Sequence, residues 1–181
     1  MARSTSIFDT RFYVTLFLVG IGSFLIHEFA HWLAGVGLGY DMVATPNHVW
    51  SKTPMSVADQ ALVLGAGPLV TIAQGLLGFW LVGSRSSHFG FALIYIAFFM
   101  RLLAAGVSLF NPNDEAKISQ MLGLGTWTLP VLVVIGLFVL AVAASRQLRT
   151  RFRDQFFCYL VSSIAVTLIV GVDMTLWGKV Q

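Results

Sequence analysis

The chain has 181 residues, of which 57% are hydrophobic and 10% charged, with a mean hydropathy of +0.82. Soluble domains carry about 25% charged residues, so this composition excludes a sizeable soluble domain and describes an integral membrane protein. The net charge of +3 and pI near 9.4 do not imply a nucleic-acid partner. Lys and Arg stand at the ends of apolar runs, as they do where they set membrane orientation, rather than on one polar face.

Five apolar segments are long enough to cross a hydrocarbon core as helices, a task that takes about 20 residues. They run approximately over 12–36, 57–82, 88–110, 126–145 and 156–177. The expected fold is therefore an all-α membrane protein of about five transmembrane helices. A single transmembrane domain occupies 1–181, with a core over about 12–120 and additional helices over 126–145 and 156–177. Arg3 and Arg11 precede the first apolar run, as in a signal peptide. That run is about twice too long for a signal sequence, and cleavage near its end would discard the most informative motif, so it reads as a retained span.

That motif is His27-Glu28-Phe29-Ala30-His31, an HExxH pattern. On a helix, His27 and His31 lie one turn apart on one face, where two imidazole nitrogens can meet a single zinc ion. Glu28 beside them suits a proton acceptor for an activated water and a later proton donor to a leaving group. The composition gives roughly one chance match in a thousand for this pattern. Polar groups at such a depth are costly, about 2.5 to 3.5 kcal/mol for each charged residue, which argues for a use.

The first loop, 41–56, is polar and holds the breakers Thr45-Pro46-Asn47 and Thr53-Pro54, consistent with a short β-hairpin or re-entrant element. His48 and Trp50 within it read as interfacial residues. Gln74 in the second span reads as a helix-to-helix hydrogen-bonding residue. Arg101 in the third span lies about 20 Å from the start of its helix and Glu28 about 24 Å from the start of its own, so the two can meet. Such an arginine needs a partner or a watery cavity. It suits stabilisation of a carbonyl oxyanion, an ion pair with Glu115, or a structural role on backbone carbonyls.

The third loop, 111–125, begins with Asn111-Pro112-Asn113-Asp114-Glu115. A catalytic zinc has three protein ligands and an open position. The remaining histidines, His48 and His88, fall in loops, and Cys158, the only cysteine, reads as an inert packing residue. The third ligand is then a carboxylate, with Asp114 and Glu115 as the leading pair. In the last span, Asp173 and Trp177 read as interfacial anchors, and the arginines from Arg146 to Arg153 as contacts to anionic headgroups.

Three motifs together resemble the site-2 protease family of intramembrane zinc metalloproteases, as a minimal member. These are HEFAH at His27 to His31, Ala66-Gly67-Pro68-Leu69-Val70-Thr71 in the next span, and Asn111-Pro112-Asn113-Asp114 after the third. The match covers roughly the first 120 residues. The resemblance implies Zn2+ held by His27, His31 and Asp114, with Glu115 as rival third ligand, and Glu28 as catalytic base. It places Thr71 at the position of a family asparagine beside the active site; with Thr71, Asn111 and Arg101 are the residues expected to support substrate or transition state. The sequence departs from the pattern where Glu115 follows Asp114 in place of glycine, and where Thr71 replaces the amide.

The expected activity is endoproteolysis of a transmembrane segment in a membrane-protein substrate. Two alternatives are a zinc hydrolase acting on a lipid-like amphiphile and a non-catalytic metal-binding subunit of a membrane complex. Arg3, Arg11, Arg85, Arg146, Arg149, Arg151 and Arg153 fall on one side of the bilayer and Lys52, Lys117 and Lys179 on the other. The positive-inside rule then places the N-terminus in the cytoplasm of what is expected to be a prokaryotic cell. This count puts the motif in the outer half of the bilayer, whereas the resemblance implies a site nearer the cytoplasmic face.

Overall fold

The computed structural model describes residues 8–177; Arg3 and Lys179 of the charge count lie outside them. Among the described residues there are six helices and one two-stranded hairpin. They follow the order α1 (Thr10–Gly37), β1 (Met42–Ala44), β2 (Val49–Ser51), α2 (Val57–Arg85), α3 (His88–Val107), α4 (Asp114–Met121), α5 (Thr128–Gln147) and α6 (Phe152–Leu176). All except α4 are long and apolar enough to span a bilayer. Their outward faces carry large apolar side chains such as Leu18, Phe29, Leu69, Leu132 and Ile164. With backbone polar groups satisfied inside each helix, this is a multi-pass integral membrane protein.

Short polar caps set the starts of the spans. Asp9 accepts from Phe12 N, Ser56 from Asp59 N and Ser87 from Gly90 N, each satisfying an orphan amide of the first turn. His88, expected in a loop, is the first residue of α3. At the far end of α1, Gly39 adopts φ +88°, a left-handed conformation that suits glycine, while Tyr40 N returns to Gly35 O at 3.0 Å. The chain then enters β1, which pairs antiparallel with β2 through Met42↔Ser51, Val43↔Trp50 and Ala44↔Val49. The turn is closed by Thr45 N to His48 O at 2.8 Å. The expected hairpin is therefore present.

Helix α3 is the centre of the bundle, with 61% of its most apolar stretch buried against 22–33% for the other four spans. It packs on α1, α2 and α5, and more lightly on α6. The close approach of α2 and α3 depends on two glycines: a Cβ on Gly78 would stand 2.5 Å from Gly90 O, and one on Gly90 2.7 Å from Gly78 O. The apolar core, including Phe12, Leu16, Val82, Phe91, Ile94, Ala144 and Cys158, fills the end of the bundle where α1 begins. The polar site occupies the opposite end.

The third loop departs from expectation. It contains α4, capped by Asn113, with Asp114 and Glu115 in its first turn where carboxylates favour the positive end of the helix dipole. A polar eight-residue helix has too few apolar positions to announce itself by periodicity. Helices α5 and α6 complete the bundle: α5 packs on α2, α3 and α4, and α6 on α1 and more lightly on α3.

Candidate metal centre

His27 and His31 point from one face of α1 into the bundle, and both are buried. They reach toward Asp114 at the start of α4. His27 Nε2 and His31 Nε2 are 3.1 Å apart, and Asp114 Oδ2 lies 3.3 Å from the first and 3.4 Å from the second. Three potential ligand atoms, the third from a residue 83 positions beyond His31, thus form a nearly equilateral triangle.

The hydrogen bonds behind the rings decide which nitrogens face inward. His31 Nδ1 lies 2.7 Å from Val63 O, an atom that can only accept, so the proton sits on Nδ1 and the Nε2 lone pair points at the triangle. His27 Nδ1 lies 3.1 Å from Thr71 Oγ1, and that hydroxyl donates its own proton to Gly67 O at 3.1 Å. Thr71 therefore accepts from His27 Nδ1, leaving the second Nε2 lone pair inward as well. With both rings neutral, two lone pairs and a carboxylate oxygen converge, an arrangement that a shared cation, a proton or a metal ion, relieves. Ligands about 2.0–2.1 Å from a tetrahedral zinc stand about 3.3–3.4 Å from one another, close to the observed edges. His27, His31 and Asp114 form a buried group that could hold a metal ion.

The Gly-Pro segment of α2 has a steric reason. A Cβ on Gly67 would lie 2.5 Å from His27 Cε1 and would also run into His31 Nε2. Only glycine lets α2 come this close to both rings. Pro68, inside the helix, has no N–H to return to Leu64 O, which loosens the ladder just where the Val63 carbonyl takes the His31 proton. Thr71, expected to support substrate or transition state, faces His27. It is buried behind His27 and fixes the tautomer of that ring, the usual duty of a group just outside a metal's ligands.

Asp114 and Glu115 turn to different partners. Glu115 is buried and accepts from Arg101 Nη1 at 3.0 Å, away from the two histidines. Arg101 Nη2 lies 3.4 Å from His27 Nε2, and Nη1 is 3.9 Å from Asp114 Oδ2, so its charge flanks the triangle. Removing one member of a buried pair strands the other charge. Glu115→Gln is therefore expected to lower stability by about 3 kcal/mol, the low end for breaking such a pair, while the folded protein keeps its metal. Thermal unfolding and elemental analysis check this together, and metal loss matching that of an Asp114 variant would make Glu115 a ligand instead.

In front of the triangle lies a cavity of about 440 Å³, within the usual range for small-molecule sites. Glu28 lines it, half-buried and without a hydrogen bond or ion pair among the described residues. Arg101 and Asn111 also line it, so Glu28, Arg101, Asn111 and the triangle share one space. Three contributors were not legible in the sequence. The hairpin supplies Asn47 and His48, α4 supplies Lys117, and α6 supplies Val166 and Val170. His48 stacks on Trp50 with ring centroids 5.4 Å apart, and burial, helped by the Lys117 charge, holds it below its usual pKa, hence neutral at pH 7. Asp173 is buried rather than interfacial. Gln74 bonds Leu93 O of α3 at 3.0 Å, the expected helix-to-helix role.

No protein-family model, no curated protein and no solved structure matches this chain.

Proposed function

We propose that the chain is a zinc-dependent intramembrane endopeptidase that cleaves a transmembrane segment of a membrane-protein substrate. The observation that carries the reading is the convergence of His27 Nε2, His31 Nε2 and Asp114 Oδ2 at 3.1–3.4 Å, beside a carboxylate, Glu28, that has no hydrogen bond or ion pair among the described residues. Nitrogen and oxygen donors in threes suit zinc with an open position. Zinc bound there would supply Lewis acidity, bringing the pKa of a water toward 7 and polarising a carbonyl.

The rest falls to the protein's own residues. Glu28 accepts the proton of the attacking water and delivers it to the leaving nitrogen. Arg101, already placed by Glu115, offers its guanidinium to negative charge developing on the carbonyl oxygen. Val63 O and Thr71 Oγ1 keep the imidazole protons at Nδ1 and the rings in place. A helical substrate hides its peptide bonds in its own ladder, so the bond must be presented locally unwound. Among the described residues, Arg11, Arg85, Arg146, Arg149, Arg151 and Arg153 fall at one end of the bundle and Lys52 and Lys117 at the other. This supports a cytoplasmic N-terminus in a prokaryotic membrane and a site in the outer half.

A second reading keeps the zinc and exchanges the peptide for a lipid-like amphiphile; the apolar wall of Phe24, Leu103, Val107, Val166 and Val170 favours it. The test is reconstitution into liposomes with a single-pass transmembrane peptide, followed by mass spectrometry of products. The expected result is cleavage within the apolar segment, stopped by a zinc chelator and restored by Zn2+. Turnover of ester-linked lipid with the peptide intact would replace the first reading by the second. A zinc-loaded protein inert toward both would make it a metal-binding subunit.

A further inference from the structure

A second cavity, of about 620 Å³, lies at the end of the bundle opposite the metal centre. Helices α5 and α6 are consecutive, yet α5 packs on α2, α3 and α4 while α6 packs on α1. Their separation leaves a gap whose floor is α3. The walls are apolar, formed by Tyr95 and Phe98 of α3 with Phe138 and Val142 of α5. At the mouth stand Arg146 and Arg149, both exposed and without an ion pair among the described residues. Among the described residues, no acidic one lines the cavity.

The gap is a built feature. Gln155 Nε2 at the start of α6 donates to Ser145 Oγ at 2.9 Å and Thr150 Oγ1 at 2.8 Å, tying α6 to the end of α5. Tyr95 OH donates to Gln155 O at 3.2 Å, tying both to α3. The turn between them is held by Thr150 N to Ser145 O at 3.0 Å, with Arg149 at φ 53°. Asp154, at the start of α6, is buried, accepts from the Arg151 N–H through Oδ2 and does not line the cavity.

We propose that this gap is a binding site for one anionic phospholipid, with the phosphate between Arg146 and Arg149 and an acyl chain in the apolar cavity over α3. Two unpaired guanidinia at headgroup level complement a phosphodiester, and Arg is suited to phosphate because its planar fork presents paired donors. An apolar cavity beside them, walled by Tyr95, Phe98, Phe138 and Val142, fits a chain rather than a soluble anion. Basic residues near a membrane surface each attract anionic lipid, and two should together give a preference of about 30-fold for phosphatidylglycerol over phosphatidylcholine of the same chains.

The experiment uses the delipidated full-length protein in detergent, with retained lipid read by native mass spectrometry. Wild type should hold one phosphatidylglycerol with that preference. Arg146→Gln/Arg149→Gln should abolish it with unchanged thermal unfolding, whereas Arg151→Gln/Arg153→Gln should keep it. Val142→Trp, which fills the cavity and leaves the charges, should also abolish it. Inorganic phosphate at the same concentration should not compete. Selectivity surviving in the first double variant, equal loss in the second, or displacement by inorganic phosphate would each overturn the proposal.

Discussion

Glu28→Gln should leave a folded protein with about one zinc per chain and a rate lowered on the order of 10²–10⁴-fold, the usual reach of one positioned general base. The carboxylate lies half-buried in the cavity wall and engages no hydrogen bond or ion pair among the described residues, so an amide of the same shape costs the fold little. It also contributes nothing to the triangle of ligand atoms, which belongs to His27, His31 and Asp114. Loss of rate with retained metal separates a proton carrier from a ligand. Elemental analysis alongside peptide cleavage in liposomes reads both, and a variant that lost its zinc would place Glu28 among the ligands instead.

Asp114→Ala and Gly67→Ala should abolish metal binding by different routes. Removing Asp114 leaves two nitrogens and no anionic donor, and the affinity for zinc should fall by more than the 10–100-fold typical of losing a residue that only steadies a ligand. Arg101 stays paired with Glu115 at 3.0 Å in that variant, so the helices keep their buried ion pair. Gly67→Ala keeps every ligand. Its methyl would occupy the space of His27 Cε1, 2.5 Å away, and that of His31 Nε2, forcing apart the two rings or the two helices. Overpacking of this kind costs about 1–3 kcal/mol, and relief of the clash would come by moving the rings off the metal position. Both variants should purify with little zinc; Gly67→Ala with full zinc would mean that α2 is free to retreat.

The sequence carried the site unevenly, for physical reasons. His27 and His31 were legible because a helix places i and i+4 on one face whatever surrounds it. The five spans were legible because length and apolarity are local properties. The choice between Asp114 and Glu115 was not, since neighbours on a helix point about 100° apart and only the orientation of α4 decides which one meets α1. The position of α4 had a faint signal, an Asn cap followed by two carboxylates. Gly67 was visible as part of a motif, but its reason is the position of two rings on another helix. His48 and Val170 join the cavity only through packing of the hairpin and α6, which no spacing rule encodes.

The central claim is that three convergent atoms hold a zinc ion, and it is tested most directly by the zinc content of the wild-type protein purified in detergent without added metal or chelator. The account predicts about one zinc per chain. Less than about half a zinc per chain, in protein that unfolds cooperatively and so is folded, would contradict it.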